Sequence, residues 1–344
     1  MNYQQFKKIV SFYSRFTASF TQVGYRWRSL TWAKFTPDYR GQHWLVTGGS
    51  GGIGRHIVLA AAKAGATVTA VARSESKLVA LREDARQAGI AGVDTECCDF
   101  TLQSDTGRLL QRLQAGGRKV DVLVNNVGVL LDDLEVTPEG RESSFVSNLL
   151  SHYQLTEGLL RAGLLAGPKC TVINMTSGGG YNMPLMVAML NVTDPAKYNG
   201  VFAYGFHKRA QMVLNQYWRD KYGARGIAFY VMHPGWADTD GVKRSLPRFR
   251  KILKSILRDA ESGADTALWL AGTRPPQPEH ELVWFDRAIR PAHVYDRTRV
   301  SKDTPQSLVA YLDAELALPG RVAAGFHAAW VTGDNLWPQL RAAG

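Results

Sequence analysis

Cysteine is scarce in this chain: three residues in 344, two of them adjacent at Cys97 and Cys98. Three thiols cannot build a disulfide framework, so a reducing, cytoplasmic setting is expected. Long apolar runs are missing as well. The longest charge-free stretch, Cys170–Thr193, is interrupted by Gly178, Gly179, Gly180, Asn182 and Pro184. It does not resemble the roughly 20 apolar residues of a membrane span. No apolar segment follows the first residues as it does in a secretory signal. No Cys/His spacing reads as a metal site, and no internal repeat or interior linker divides the chain. Hydrophobic residues at 45% and charged residues at 21% exclude disorder and collagen.

Acidic residues are missing from two particular segments. Residues 1–40 carry seven basic residues against Asp38 alone, and residues 243–258 carry seven with no acid. The formal charge of +11 is therefore concentrated there, and the rest of the chain is slightly acidic. Nucleic acid is not an expected partner, because no nucleic-acid-binding signature accompanies the charge.

What is present is an alternation. Short runs rich in Val, Ile and Thr at 44–47, 67–71, 93–97, 120–124, 171–174 and 227–231 read as buried strands, and 282–285 reads as a seventh. Helical periodicity occupies about 53–64, 75–88, 102–114, 138–165, 198–222 and 261–272. This order predicts an α/β fold, a Rossmann-type doubly wound parallel sheet in a single domain over 41–318. An aromatic, basic N-terminal extension (1–40) and a C-terminal tail (319–344) flank it. Asn174 and Asn191 head Asn-x-Thr triplets, but Asn174 falls inside a strand pattern, and both are discounted as glycosylation sites.

The first strand runs into Thr47-Gly48-Gly49-Ser50-Gly51-Gly52-Ile53-Gly54 and then a helix. Glycines at such a bend permit a tight turn and close backbone approach to a pyrophosphate, which the helix N-terminus attracts. No Lys-Ser/Thr follows, so a nucleotide-hydrolysing phosphate loop is excluded. About 20 residues on, the second strand ends in Val71-Ala72-Arg73. A carboxylate there would bind a ribose 2′-hydroxyl, whereas a guanidinium pairs with a 2′-phosphate, so NADP(H) is the expected cofactor.

These motifs, with Asp99-Phe100, Asn125-Asn126-Val127-Gly128, Asn148, Ser177, Tyr204-x-x-x-Lys208 and His233-Pro234-Gly235 through Thr239, resemble the short-chain dehydrogenase/reductase family over about 280 residues. Val127 departs from the alanine usual in the family. The long Ser177–Tyr204 interval resembles the retinol-dehydrogenase-like branch, and residues 177–180, 232–242 and 263–266 point to one subgroup within it. The resemblance implies that Asn148, Ser177, Tyr204 and Lys208 are catalytic, Asn148 by holding a water that links Lys208 to solvent. It implies a cofactor site of Thr47, Gly48, Ser50, Gly51, Gly52, Ile53, Gly54, Arg73, Asp99, Phe100, Asn125, Asn126, Gly128, Tyr204, Lys208, Pro234, Gly235 and Thr239. In it Asp99 meets the adenine, Asn125 and Gly128 the ribose side, and Thr239 the nicotinamide amide.

Tyr-x-x-x-Lys occurs three times, at Tyr3/Lys7, Tyr204/Lys208 and Tyr217/Lys221. Only Tyr204 sits near a helix start where the C-terminal edge of the sheet opens, and its i,i+4 partner Lys208 shares its face. A phenol with a pKa near 10 is a poor acid–base group at pH 7. A neighbouring ammonium and an oxidised nicotinamide favour phenolate and bring it toward the working range. Ser177 can donate to the substrate oxygen. The competing class is a non-catalytic NADPH-binding sensor or scaffold, for which a complete Ser–Tyr–Lys set would have no use.

Two segments are expected to cover the nicotinamide as a substrate lobe, 178–203 with its methionines and 240–260. Residues 246–257 place apolar side chains on one helical stripe with basic residues elsewhere. Residues 6–23 carry a similar aromatic stripe that includes Phe16, Phe20 and Val23. Both patterns suit an anionic membrane surface, and a lipophilic carbonyl or alcohol as substrate. The sequence is compatible with a homo-oligomer. His207 and His233 are taken as structural, and Cys97 and Cys98 as inert at the end of a buried strand.

Overall fold

The computed structural model describes residues 16–238, 250–251, 253–277 and 282–317. Strands β1 (His43–Thr47), β2 (Thr67–Ala72), β3 (Val93–Cys97), β4 (Val122–Asn125), β5 (Thr171–Met175), β6 (Ala228–Met232), β7 (Leu282–Phe285) and β8 (Ala288–Pro291) form one sheet. Their order is β3-β2-β1-β4-β5-β6-β7-β8, parallel except for the final β7–β8 hairpin, which the sequence reading lacks. β1, β4, β5 and β6 are buried along their whole length, as strands covered on both faces must be.

Alternation along β1 shows the two layers. Leu45 joins the cluster packed by helices α4 (Gln103–Gly116), α5 (Ser151–Arg161), α6 (Gly200–Tyr222) and α8 (Pro305–Ala317). Trp44 and Val46 join the opposite cluster, packed by α2 (Gly52–Lys63), α3 (Glu75–Gln87) and α7 (Ala260–Thr273). Full burial of each such side chain contributes about 1.5–3 kcal/mol. The chain reverses winding between β1 and β4, which opens a crevice at the strands' C-terminal ends.

Four expectations change. β3 is an edge strand paired only with β2, so Cys97 at its end is exposed while Cys98 is buried. The helix expected over 138–165 starts later. Gly140 (φ 80°) closes a turn by donating to Thr137 O (2.8 Å), and Val136 pairs with Glu142. The Glu142 carboxylate then caps a turn over Ser143–Phe145, accepting from Ser144 N (2.7 Å) and Phe145 N (2.6 Å). A π-helical segment, Val146–Leu150, leads into α5.

Residues 16–40 are not an appended extension. Residues 16–20 are helical, and α1 (Gln22–Ser29) follows. Phe20 is buried against His233 (4.5 Å between ring centres), Phe285 (5.2 Å) and Trp236 (5.5 Å), and its carbonyl accepts from Trp236 N (2.8 Å). Tyr39 is fully buried and donates to Leu268 O (2.7 Å). Phe20 and Tyr39 thus find partners more than 200 residues away in sequence. Arg258, expected on a solvated basic face, is buried too. Residues 1–15, 239–249, 252 and 319–344, with Thr239 and half of the apolar stripe of 246–257 (Leu246, Phe249 and Ile252), lie outside the described residues.

Candidate active site

Strands β1 to β6 deliver the pieces of the site at their C-terminal ends. β1 delivers the glycine turn, and its glycines differ in what crowds them. A Cβ on Gly49 would stand 2.8 Å from Ala70 Cβ, and one on Gly54 would stand 2.3 Å from Gly48 O. Both are glycine because protein atoms leave no room. Gly48 (φ 66°) and Gly52 (φ 51°) adopt the left-handed region. Gly51, the N-cap of α2, is different: its backbone is extended and nothing lies within 4 Å of where its Cβ would be. Open space over a helix N-terminus that makes no side-chain cap bond fits a pyrophosphate.

Several expected cofactor residues face inward. Thr47 is fully buried, and its hydroxyl oxygen accepts from Asn126 N (2.9 Å) and Val127 N (3.1 Å). Asn126 donates back to Thr47 O (2.8 Å), so the pair bolts the glycine turn to β4. Asn125 is fully buried and donates to Asn174 Oδ1 (2.8 Å) and Thr156 Oγ1 (3.0 Å). Ile53 packs toward Gly263, and Phe100 lies in the core. The Thr47 and Asn126 side chains hold the turn, while those of Asn125, Ile53 and Phe100 pack inward. The departure at Val127 is accommodated: its Cγ2 packs beneath Gly48, 3.2 Å from where a Cβ there would sit.

Ser50, Gly52, Gly128, Pro234 and Gly235 remain at least partly exposed. Asp99 is half-buried; its Oδ1 accepts from Thr101 N (3.0 Å). Arg73 directly follows β2 and its side chain is exposed. Gly235 (φ 77°) lies against the Arg258 guanidinium, where a Cβ would come within 2.3 Å of Nε.

β5 delivers Ser177, half-exposed, and then the short 3₁₀ turn Gly178–Asn182. That turn lies directly on α6. A Cβ on Gly179 would meet Tyr204 Cδ1 at 3.4 Å, and one on Gly180 would meet Met212 Cε at 2.7 Å. Thr176 beside it donates to Lys208 O (2.9 Å), which pins the end of β5 to the helix carrying the Tyr-x-x-x-Lys pair. Asn199 caps that helix by accepting from Phe202 N (3.1 Å), so Tyr204 falls in its second turn.

Lys208 Nζ donates to Met175 O (2.9 Å) and stands 5.5 Å from the centre of the Tyr204 ring. It is buried, and burial alone pushes its ammonium down to about 7. A Cβ on Gly128 would come within 3.1 Å of that Nζ and 3.6 Å of Asn148 Oδ1, so glycine keeps a gap where β4, α6 and the π-helical segment meet. Asn148 sits on that segment, fully buried. Its side-chain Oδ1 accepts from Val129 N (2.7 Å) and its Nδ2 donates to Val129 O (2.7 Å), while its backbone carbonyl accepts from Gln211 Nε2 (2.6 Å). The side chain braces the loop over Lys208.

Sequence reasoning left His207 out of the network it joins: Nε2 donates to Leu190 O (2.8 Å), and Nδ1 lies 3.4 Å from Asn148 Nδ2. Only its place beside Lys208 could have drawn attention to it. His233 accepts from Gly235 N at Nδ1 (2.6 Å). Burial holds His207 down to about 4 and His233 down to about 3, so both are neutral and structural. The rival pair Tyr217/Lys221 stands at the far end of α6, with Lys221 4.0 Å from Glu157. Among the described residues no three His, Cys, Asp or Glu side chains cluster as metal ligands.

A crevice at the C-terminal edge of a doubly wound sheet, with Tyr204 and Lys208 on one helix beside the turn that follows Ser177, has the form of an oxidoreductase of the short-chain type, and the chain belongs to the short-chain dehydrogenase/reductase family. The family model described as short chain dehydrogenase matches residues 42–248. Dehydrogenase/reductase SDR family member 12 from Bos taurus is 33% identical over 310 residues, covering 87% of this chain and 94% of that protein. The Homo sapiens protein of the same name is 35% identical over 236 residues, 67% of this chain and 72% of that one. Among solved structures, a protein from Mycobacterium paratuberculosis superposes with a TM-score of 0.62 at 22% identity, covering 83% of this chain and 97% of its own. One from Beutenbergia cavernae, assigned as an NAD(P)-dependent gluconate 5-dehydrogenase with NADP bound at low occupancy, gives 0.58 at 22% identity, over 72% and 96%.

Proposed function

We propose that the protein transfers hydride between NADP(H) and the carbonyl or alcohol carbon of a lipophilic substrate, and that its basic segments meet an anionic membrane surface. The observation that carries the reading is the meeting of Lys208 and Tyr204 with the Ser177 turn, through the contacts of Thr176 and Gly179. A bound nicotinamide supplies or accepts the hydride. In the reducing direction the Tyr204 hydroxyl donates its proton to the substrate oxygen as negative charge develops there. Ser177 donates a hydrogen bond to the same oxygen. Lys208, positive beside the ring, stabilises the phenolate left behind; an anion forming there raises the ammonium above the value set by burial alone.

Arg73 supports NADP(H): it is exposed at the end of β2, where a carboxylate would serve NAD(H). The lobe supports a lipophilic substrate. Met183 packs against Gly205 beside Tyr204, and Met186, Val201 and Phe202 are exposed although apolar. The test is NADPH oxidation over aldehydes, ketones and quinones of increasing chain length. Wild type turns over at least one class. Tyr204→Phe keeps its NADPH affinity and loses about 10²–10⁴-fold in kcat. Near-wild-type kcat in that variant removes Tyr204 from the mechanism.

A further inference from the structure

Helix α1 is held rigidly by one face and bare on the other. On the inner face, Gln22 N donates to Ile256 O (2.9 Å) and Gln22 Nε2 to Ser262 Oγ (3.0 Å). A Cβ on Gly24 would come within 2.3 Å of Ala18 O. Arg28 Nε donates to Asp286 Oδ2 (2.7 Å). Asp286 is buried and left-handed (φ 50°), and it also takes Arg258 Nη1 (2.6 Å) and Nη2 (2.9 Å). Arg258 in turn donates to Phe20 O (3.0 Å) and Pro234 O (3.3 Å). Removing one member of a buried charge cluster leaves its partners uncompensated, so this clamp fixes which face α1 turns outward.

The outward face carries Val23, Trp27 and Leu30 at i, i+4 and i+7, exposed 59%, 76% and 78%. That spacing makes one apolar ridge along the helix. A tryptophan left three-quarters exposed on a rigid element contributes nothing to the core, and contiguous exposed apolar surface marks a contact site. Around it, exposed cations outnumber the exposed acids Asp259 and Glu261 beside Ser262. Arg26 and Lys34 are exposed, α1 contains no acid, and the Gln22–Ile256 bond brings the segment with exposed Lys251 and Lys254 alongside. A second copy presenting the same basic face would be repelled. An anionic bilayer offers what each part needs: an interface for the indole, hydrocarbon for Val23 and Leu30, and negative headgroups for the cations.

We propose that the outer face of α1, Val23, Trp27 and Leu30 flanked by Arg26, Lys251 and Lys254, is a docking surface for an anionic lipid bilayer. This rests on the membrane contact proposed above and names the residues that make it. Because Phe20 and Arg258 tie α1 to Pro234 and Trp236, the docked helix and the loop beside the dinucleotide crevice move as one body.

The test is cosedimentation of the full-length protein with phosphatidylcholine vesicles, with and without about 30% phosphatidylserine. Wild type binds the anionic vesicles, releases them at high salt and ignores the neutral ones. Lys251→Glu with Lys254→Glu weakens binding at least about 25-fold, about fivefold for each cation removed. The Val23→Ser, Trp27→Ser, Leu30→Ser variant abolishes it, and Trp27→Ser alone weakens it. All three positions are exposed, so each variant melts like wild type. Reduction of a short water-soluble carbonyl is unchanged throughout, so lost docking and lost chemistry are read separately. No anionic binding by wild type, or wild-type binding by the triple variant, overturns the proposal. So does concentration-dependent self-association that the triple variant abolishes, which would make the ridge a contact between copies.

Discussion

Gly51→Ala separates what the fold requires of the glycine turn from what a ligand requires. Gly51 caps α2 with φ −154° and ψ 163°, a conformation open to alanine, and no protein atom lies within 4 Å of the added methyl. Replacing an N-cap glycine by alanine costs about 0.5–1 kcal/mol, and the stiffer unfolded chain returns about 0.4–1 kcal/mol. The net is near zero, a shift in melting temperature below about 2 °C. Gly54→Ala meets Gly48 O at 2.3 Å and Asn126 Nδ2 at 2.5 Å, with backbone on one side and the bolt to β4 on the other. It costs at least about 1–3 kcal/mol and melts lower with or without dinucleotide. With NADPH the order of interest reverses. The Gly51→Ala methyl occupies the space over the α2 N-terminus, and loss of one charge-assisted bond to phosphate costs about 1.5–3 kcal/mol, or 10- to 100-fold in Kd. Thermal melts of the free protein, paired with fluorescence titration of NADPH, measure both effects. A Gly51→Ala protein that melts normally and binds NADPH with wild-type affinity would refute the reasoning, because the open space would then belong to no phosphate.

The sheet was legible because its central strands are apolar on both faces, and short Val- and Ile-rich runs have few other uses in a chain of alternating periodicity. Direction within a motif was less legible. Asn125 and Asn126 are neighbours of identical composition, yet one is sealed between β4, β5 and α5 while the other bolts the glycine turn. A polar residue at a strand end reads as cleft-facing until the packing around it is known. The break at 136–150 was hidden because apolar spacing runs on through it; Pro138 and Gly140, in one turn, were its local signals. The N-terminal aromatics misled for another reason. Amphipathic spacing shows that a helix has an apolar face, not what covers it, and the partners of Phe20 lie at 181, 233, 236 and 285.

Arg73→Glu lowers kcat/KM for NADPH by at least about 10- to 100-fold while sparing NADH, because it exchanges a charge-assisted bond for repulsion; steady-state kinetics with both dinucleotides decides, and an unchanged preference removes Arg73 from cofactor selection. Asp286→Asn uncouples the Arg28–Arg258 clamp, and breaking a buried pair costs about 3–5 kcal/mol; a melting temperature within about 2 °C of wild type would show that the clamp is not structural. Acid stability follows from three buried imidazoles. Burial lowers His152 and His233 to about 3 and His207 to about 4, against about 6.5 in the unfolded chain. Above pH 6.5 neither state protonates them, and their contribution to stability is fully present. Between 6.5 and about 4 the unfolded chain binds protons that the native chain refuses, so stability falls as pH falls, by about 1.4 kcal/mol per pH unit for each histidine. All three together remove about 3–4 kcal/mol between pH 6 and pH 5. The exposed carboxylates of Asp38 and Glu83, lowered by hydrogen bonds from Arg40 and Arg86, lose their contribution only at more acidic pH, whereas the carboxyls of Glu142 and Asp313, raised by burial, oppose the histidines as pH falls. Urea unfolding from pH 7.5 to 5 reads the net slope, to which His43 and His56, also lowered by burial, add, and His207→Gln reduces it. A flat profile across that range would mean that these imidazoles accept protons while folded, and the neutral network joining His207 to Asn148 and Leu190 would have to be redrawn.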